Sequence, residues 1–149
     1  MRSLKVHLIF ILFPLVLVSL ACGQDSNHPS NENRAVQSVG SSRGEVLVTN
    51  EINLDFSKHK VTFIELGADR CIPCRKMQPI MKAIAEEYAG RVQVVFYDVW
   101  KNAAPAEYYR IQLIPTQVFI DQKGKEIFRH VGLFPKEEIL GMLKDKGIL

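Results

Sequence analysis

Two cysteines, Cys71 and Cys74, lie between two segments of different periodicity. The segment before them, 61–66, is rich in β-branched and aromatic residues and predicts a buried strand. The segment after them, 72–88, carries apolar residues at helical spacing and predicts a helix. A dithiol at such a strand-to-helix junction restricts the fold strongly, because both cysteines must lie within the first turn of the helix.

Cysteines at this spacing form half of a zinc site, close a structural disulfide, or cycle between dithiol and disulfide. A zinc site needs about four ligands, but the sequence contains no second cysteine pair, and His59 and His130 lack ligand spacing. We therefore expect no metal site and no cofactor. A structural disulfide across so short a loop constrains the unfolded chain little, yet it remains an alternative.

The surroundings of the pair favour redox cycling. Cys71 is predicted at the start of the helix, where unpaired backbone N–H groups and the helix dipole stabilise a thiolate, and Arg70 adds positive potential. Cys74 lies three residues further and therefore returns to the side of Cys71. We predict that Cys71 is the exposed nucleophile and that Cys74 resolves the mixed disulfide.

Residues 1–21 have the composition of an export signal peptide. Arg2 and Lys5 precede an apolar run, 8–18, which is shorter than the roughly 20 residues of a membrane-spanning helix. Small residues follow, and Cys22 resembles the cysteine of a bacterial lipobox, which becomes the lipidated mature N-terminus. Cleavage to a soluble protein and retention as an uncleaved anchor are the alternatives.

Residues 22–44 predict a flexible linker, lipid-anchored at its start, because polar residues and glycine dominate and few aliphatic side chains are available for burial. The remaining residues, 45–149, have the length of one ordinary domain. The net charge of the whole chain is only +3, so nucleic acid is not an expected partner. We expect a monomer that is tethered to a membrane through its N-terminus.

Within 45–149 the periodic segments follow the order βαβα and then ββα. This order predicts an α/β fold with a mixed central sheet and helices on both faces. We expect Trp100, Tyr108 and Tyr109 to pack around the short helix. Besides the strand and helix next to the cysteines, the predicted elements are a first strand at 46–48, a strand at 92–97, a short helix at 103–109, a hairpin of 117–120 with 126–131, and a closing helix at 135–146.

Several spaced features of 45–149 together resemble the thioredoxin family. The dithiol follows a strand and has a proline before its second cysteine. Pro79 matches the proline inside the family's active-site helix, Ile114-Pro115 matches its cis-proline loop, and Gly132 matches the glycine before its last helix. The resemblance implies a thioredoxin-like fold.

The resemblance also implies a role for Glu65. Thioredoxins carry a buried aspartate six residues before the first cysteine, and Glu65 occupies that place. Glu65 would then be a partly buried carboxylate with a raised pKa that assists proton transfer at Cys74. An acid at the end of the strand that reaches water is the alternative.

Four further residues would contact a substrate if the resemblance holds. Ile72 and Pro73 would form an apolar surface between the cysteines. Ile114 would pair its backbone with an extended substrate segment beside Pro115, as in the addition of a β-strand.

The resemblance implies an exported thiol–disulfide oxidoreductase of periplasmic or other extracytoplasmic location. Its most direct activity is reduction of protein disulfides, which leaves Cys71 and Cys74 oxidised. Similar tethered proteins receive electrons from a transmembrane carrier of the cytochrome c biogenesis type, so such a carrier is an implied partner. A disulfide oxidase or isomerase and a non-enzymatic, metallochaperone-like binding module are the alternatives.

Overall fold

A mixed sheet of five strands forms the centre of the domain. In the computed structural model, which describes residues 44–149, the spatial order of the strands is first, third, second, fourth, fifth. The strands are β1 (Val46–Val48), β2 (Val61–Gly67), β3 (Val92–Asp98), β4 (Thr116–Asp121) and β5 (Glu126–Val131). The helices are α1 (Ile72–Glu87), α2 (Ala104–Tyr108) and α3 (Lys136–Asp145), and a short 3₁₀ helix, Phe56–Lys58, precedes β2. The predicted α/β fold with a mixed sheet is confirmed.

The predicted signal peptide at 1–21, the lipidation site Cys22 and all but the last residue of the linker at 22–44 lie outside the described residues. Within 44–149, no helix has the length and apolar composition that crossing a membrane requires.

Strand β2 is the centre of the sheet, and all of its residues are buried. It pairs in parallel with β3 and antiparallel with β4. Its side chains alternate between two cores: Phe63 packs in the core that also holds residues of α1 and α3, whereas Ile64 and Leu66 pack in the core on the opposite face. Burial on both faces explains why this part of the sequence is almost continuously apolar.

Helix α1 forms where helical spacing predicted it and ends at Glu87, one residue before the predicted end. Its buried stripe consists of Met77, Met81, Ile84 and Ala85 below Cys74. The chain turns away shortly after the helix at Gly90, whose φ of +76° suits a residue without Cβ.

The hairpin of β4 and β5 is held by its turn. The carboxylate of Asp121 accepts hydrogen bonds from the backbone N–H groups of Lys123 and Lys125, both at 2.9 Å. Gly124 has a φ of +77°, which the turn requires. This turn, together with a register shift between Phe119 and Ile120, sets the pairing of β5 with β4 and so the position of the loop that follows β5.

The three aromatic residues expected around α2 behave differently. Tyr109 is buried and packs against Tyr97, and Tyr108 meets Tyr109 edge-on but remains largely exposed. The expectation is wrong for Trp100, which is 63% exposed. Asp98 accepts the backbone N–H of Trp100 at 3.1 Å, and the resulting turn after β3 leaves the indole outside the core.

We predict that Phe119→Ala lowers the free energy of unfolding by about 3–5 kcal/mol. Phe119 is fully buried and stacks on Phe63 with 4.8 Å between ring centroids, so truncation leaves a cavity at the centre of the larger core. Guanidinium unfolding of the oxidised protein measures the change. The exposed Trp100→Ala serves as control and should change stability by about 0.5 kcal/mol or less. Equal effects of the two substitutions would contradict this assignment of the core.

Candidate active site

Two loops meet at one end of the central strands because β2 and β4 are antiparallel. Leu66, near the end of β2, is the register partner of Thr116, the first residue of β4. The chain that leaves β2 towards Cys71 therefore emerges beside the chain that enters β4 through Pro115. The Ile114–Pro115 peptide bond is cis, and Ile114 packs against a small cluster that contains Cys71 and Cys74.

Cys71 and Cys74 form a disulfide at the start of α1, with their Cα atoms 5.2 Å apart. Cys71 is the N-cap of the helix, and the backbone N–H of Cys74 donates to Cys71 Sγ at 3.4 Å. One of the helix's unpaired N–H groups is therefore directed at the first sulfur. The predicted position of the pair at the helix start is thus observed.

The prediction of an exposed Cys71 is wrong, since only 8% of the residue is accessible, while Cys74 is fully buried. The N-cap position explains this burial. The backbone N–H of Cys71 donates to the carbonyl of Ala68 at 3.1 Å, which folds the chain back over the residue, and Ile114 packs against the cysteine cluster. Cys71 nevertheless remains the more accessible of the two sulfur-bearing residues.

The surface around the disulfide combines apolar side chains with the exposed Arg70, which directly precedes Cys71. Ile72 is 69% exposed, Pro73 is also exposed, Ile114 is half-buried and Pro115 is buried. Leu113 adds a further apolar side chain, 66% exposed, which the sequence analysis did not identify. Its position directly before Ile114-Pro115 is the signal that could have identified it.

Glu65 is fully buried, which excludes the alternative of an acid that reaches water and exceeds the partial burial expected. Because burial disfavours the charged carboxylate, the pKa of Glu65 is raised from its ordinary value of 4.5 to about 8, although a hydrogen bond from Gln117 opposes the rise. Gln117 Nε2 donates to Glu65 Oε2 at 2.9 Å. Gln117 was not predicted as a site residue, although a lone amide within an apolar strand is a signal that the sequence shows.

Glu65 and Gly67 lie on the same face of β2, since side chains alternate along a strand. A Cβ on Gly67 would lie 3.1 Å from the Cβ of Cys74 and 3.2 Å from the ring of Phe96. The carboxyl of Glu65 therefore lies on the face of the sheet that α1 covers through Cys74. It is two residues further from the end of β2 than Gly67. Phe96 is the register partner of Glu65 in β3 and supplies an apolar neighbour instead of a charged one.

A second acid holds the loop that leads to the disulfide. The Asp98 carboxylate accepts hydrogen bonds from the backbone N–H groups of Asp69, Trp100 and Lys101, and the Lys101 ammonium bridges Asp69 and Asp98. Burial alone would raise the pKa of Asp98, but the hydrogen bonds from Lys101 and from the backbone N–H groups outweigh it and lower that pKa. These contacts tie residues 68–70 to the end of β3. Among residues 44–149, no group of three or more His, Cys, Asp or Glu side chains could hold a metal ion.

Comparison with known proteins agrees with this geometry. The family model described as thioredoxin matches residues 45–145. The chain belongs to the thioredoxin family. With the disulfide of Cys71 and Cys74 at the helix start, membership identifies the chain as a thiol–disulfide oxidoreductase. The narrower assignment to an exported lipoprotein subgroup stays a prediction.

Individual thioredoxins are similar over the same region. Thioredoxin of Chlamydia trachomatis is 30% identical over 97 residues, which cover 65% of this chain and 93% of that protein. Thioredoxin of Staphylococcus aureus is 29% identical over 83 residues, which cover 56% of this chain and 79% of the relative.

Solved thioredoxin structures superpose on the domain. A mutant thioredoxin of Halobacterium salinarum has a TM-score of 0.62 and 27% identity, and the match covers 70% of this chain and 93% of that one. Thioredoxin NaTrxh of Nicotiana alata has a TM-score of 0.60 and 29% identity, with coverage of 70% and 95%.

We predict that Glu65→Gln increasingly stabilises the oxidised protein as the pH rises from about 5 to about 8. In the unfolded chain this carboxyl loses its proton near pH 4.5, whereas the folded protein keeps it until about pH 8. Ionisation of the unfolded state therefore lowers the free energy of unfolding across that interval, and below it the group imposes no such loss. The variant should gain on the order of a few kcal/mol relative to the parent.

Guanidinium unfolding of both proteins at several pH values measures this difference. A difference that stays constant between about pH 5 and 8, or that shrinks as the pH rises, would contradict the raised pKa of Glu65.

Proposed function

We propose that the chain is an extracytoplasmic protein-disulfide reductase, tethered to a membrane through Cys22. The observation that best supports its redox role is the asymmetry of the disulfide: Cys71 lies at the helix start and is partly accessible, whereas Cys74 is fully buried behind it. A substrate sulfur can approach the first cysteine only, which assigns the two cysteines different tasks.

The reaction begins with the reduced pair. The Cys71 thiolate attacks one sulfur of the substrate disulfide, the substrate S–S bond breaks, and the departing sulfur takes up a proton. The Cys74 thiol then releases its proton and attacks Cys71 Sγ. This closes the Cys71–Cys74 disulfide and frees the second substrate thiol, so that two electrons and two protons have passed to the substrate.

Two groups of the chain assist these steps. The N–H of Cys74, which donates to Cys71 Sγ, together with the other N–H groups of the helix start, stabilises the Cys71 thiolate. The Glu65 carboxylate accepts the proton of Cys74, and its pKa of about 8 suits a group that must both take and release a proton near neutral pH.

The substrate is an extended, apolar segment around a disulfide. Among residues 44–149, the backbone N–H and C=O of Ile114 take part in no hydrogen bond, so both are available to a segment that lies along the loop. Ile72, Pro73 and Leu113 surround this position with exposed apolar surface. Backbone pairing with apolar contacts suits partly unfolded proteins of varied sequence.

Each turnover leaves the cysteines oxidised, so an electron donor is needed. The export signal at 1–21, the lipobox-like Cys22 and the linker at 22–44 support a domain that works near a membrane surface outside the cytoplasm. A transmembrane electron carrier of the cytochrome c biogenesis type is the proposed reductant, and disulfides of exported proteins are the proposed substrates.

We predict that Cys74→Ser accumulates covalent complexes with substrate proteins. Its Cys71 still attacks, but no thiol resolves the mixed disulfide. The matched variant Cys71→Ser should accumulate none, because Cys74 is inaccessible. Non-reducing electrophoresis of extracts from cells that express either variant, followed by mass spectrometry of the trapped partners, measures both. Equal trapping by the two variants would contradict the assignment of different roles to the two cysteines. Trapping by Cys71→Ser alone would show that the roles are reversed.

We predict that Cys22→Ala abolishes lipidation and releases the domain from the membrane. One acyl chain gives only marginal attachment and stable anchoring needs more than one, and bacterial lipoproteins carry several on such a cysteine. Mass spectrometry of the mature N-terminus together with membrane fractionation measures the change. An unmodified parent protein that begins after Ala21 and is soluble would overturn the lipid anchor.

A further inference from the structure

Gln117 is a buried amide with an unusual position. It is fully buried in β4 and is the register partner of Glu65 in β2. Its Nε2 donates to Glu65 Oε2 at 2.9 Å and to the backbone carbonyl of Gly132 at 3.0 Å. These bonds satisfy the NH₂ group of the buried amide, whereas its oxygen, Oε1, has no hydrogen-bond partner among residues 44–149. They do not explain why the strand carries an amide at a place where an apolar side chain would fit the core.

The carbonyl of Gly132 fixes the orientation of the amide. A carbonyl oxygen only accepts hydrogen bonds, so the end of the amide that faces it must be the NH₂ group. The second hydrogen of this group is then directed at Glu65 Oε2. The other carboxyl oxygen, Oε1, has no hydrogen-bond partner among residues 44–149. Because Oε2 already accepts from Gln117, a proton on the carboxyl sits on Oε1.

We propose that Gln117 is a positioning residue for Glu65: it holds Oε2 and leaves Oε1 as the oxygen that takes up and releases the proton. This inference rests on the proposed role of Glu65 in proton transfer. Gly132 extends the arrangement, because its N–H donates to the carbonyl of Pro115 at 2.8 Å. The carboxyl, the amide and the cis-proline loop are thus connected by consecutive hydrogen bonds.

The hydrogen bond also tunes the acid. Gln117 donates to the charged form of Glu65 and so lowers a pKa that burial raises. Without this donor the carboxyl would hold its proton to a higher pH and would accept the proton of Cys74 less readily. Gln117 therefore keeps the proton of Glu65 exchangeable near neutral pH.

The other side chains on this face are mostly apolar. Phe96 of β3 is the register partner of Glu65, and α3 presents Ile139 and Leu143 to the same core. The ionisable neighbours on this face are the thiol of Cys74 once it is reduced, His130 of β5, which is the register partner of Gln117, and Asp98 of β3, which lies two residues beyond Phe96 and is paired with Lys101.

The test must separate His130 from Glu65. The His130 ring stacks on Phe134 with 4.1 Å between centroids, and its Nε2 lies 3.3 Å from the carbonyl of Leu133. These ring contacts involve Phe134 and Leu133, not Gln117 or Glu65. Experiments on the oxidised protein remove the Cys74 thiol from the titration.

The first test uses the full chain without substitution. Nuclear magnetic resonance follows the side-chain carboxyl carbon of Glu65 and the side-chain NH₂ of Gln117 in the oxidised protein as the pH is raised. We expect both signals to titrate with one midpoint, near pH 8. His130→Gln should leave that midpoint in place. A Gln117 NH₂ signal that does not respond where Glu65 ionises would overturn the proposal.

The second test removes the donor. Gln117→Met keeps the length of the side chain, and we expect the Glu65 midpoint to rise by about one pH unit or more. Gln93→Met is the matched control, since Gln93 is a cross-strand glutamine whose partner is Thr62 at 3.3 Å; it should leave the midpoint unchanged. Should Gln117→Met fail to fold, Gln117→Asn, which is too short for both bonds, should shift the midpoint in the same direction. An unchanged midpoint in the folded variant would contradict the proposal.

Kinetics distinguish this inference from the proposed function. The rate at which Cys74 resolves a mixed disulfide should rise with pH through the Glu65 midpoint, and in Gln117→Met that rise should move upward by the same interval. If Glu65→Gln leaves the rate unchanged while Gln117→Met still shifts the titration of Glu65, the proton-transfer role fails and the positioning by Gln117 stands. If the titration does not shift, the positioning fails whatever the rates show.

Discussion

The antiparallel pairing of β2 with β4 is the constraint on which the site depends. This register places Leu66 opposite Thr116, so that the turn carrying the disulfide and the cis-proline loop emerge side by side. One residue pair further into the sheet, the same register places Glu65 opposite Gln117. The pairing thus sets both the surface that a substrate meets and the polar pair beneath it. A slip of one residue would turn the carboxyl to the opposite face of the sheet.

Burial of Glu65 is the main departure of this fold from an apolar core. A carboxylate enclosed by packed side chains is unfavourable, and it responds by keeping its proton to higher pH. Phe96 gives it no charge partner, so Gln117 supplies the only hydrogen bond to the Glu65 carboxyl among residues 44–149. Glu65 lowers the stability of the folded protein at neutral pH, and it lies on the face covered by Cys74. The chemistry of the disulfide explains its presence better than packing does.

Much of the fold could be predicted from the sequence, because buried strands and amphipathic helices leave clear periodicities. The junction before Cys71 was predicted from the change in periodicity, and the cis-proline loop at Pro115 from the resemblance to the thioredoxin family. The burial of Cys71 was missed because it arises from Ala68 and Ile114, contacts of the folded chain that no local pattern records. Gln117 is visible as a lone amide within an apolar strand, but its role was missed because it comes from a register that pairs residues 52 positions apart.

The reduction potential of the Cys71–Cys74 pair tests the central claim, reduction of substrate disulfides, most directly. The purified protein is equilibrated in thiol–disulfide buffers of graded potential, the free thiols are alkylated, and the oxidised fraction is measured by mass spectrometry. We predict a midpoint near the roughly −270 mV of reducing thioredoxins. A midpoint of about −120 mV, which is typical of strong disulfide oxidases, would contradict the proposed reductase activity. The protein would then oxidise its substrates instead of reducing them.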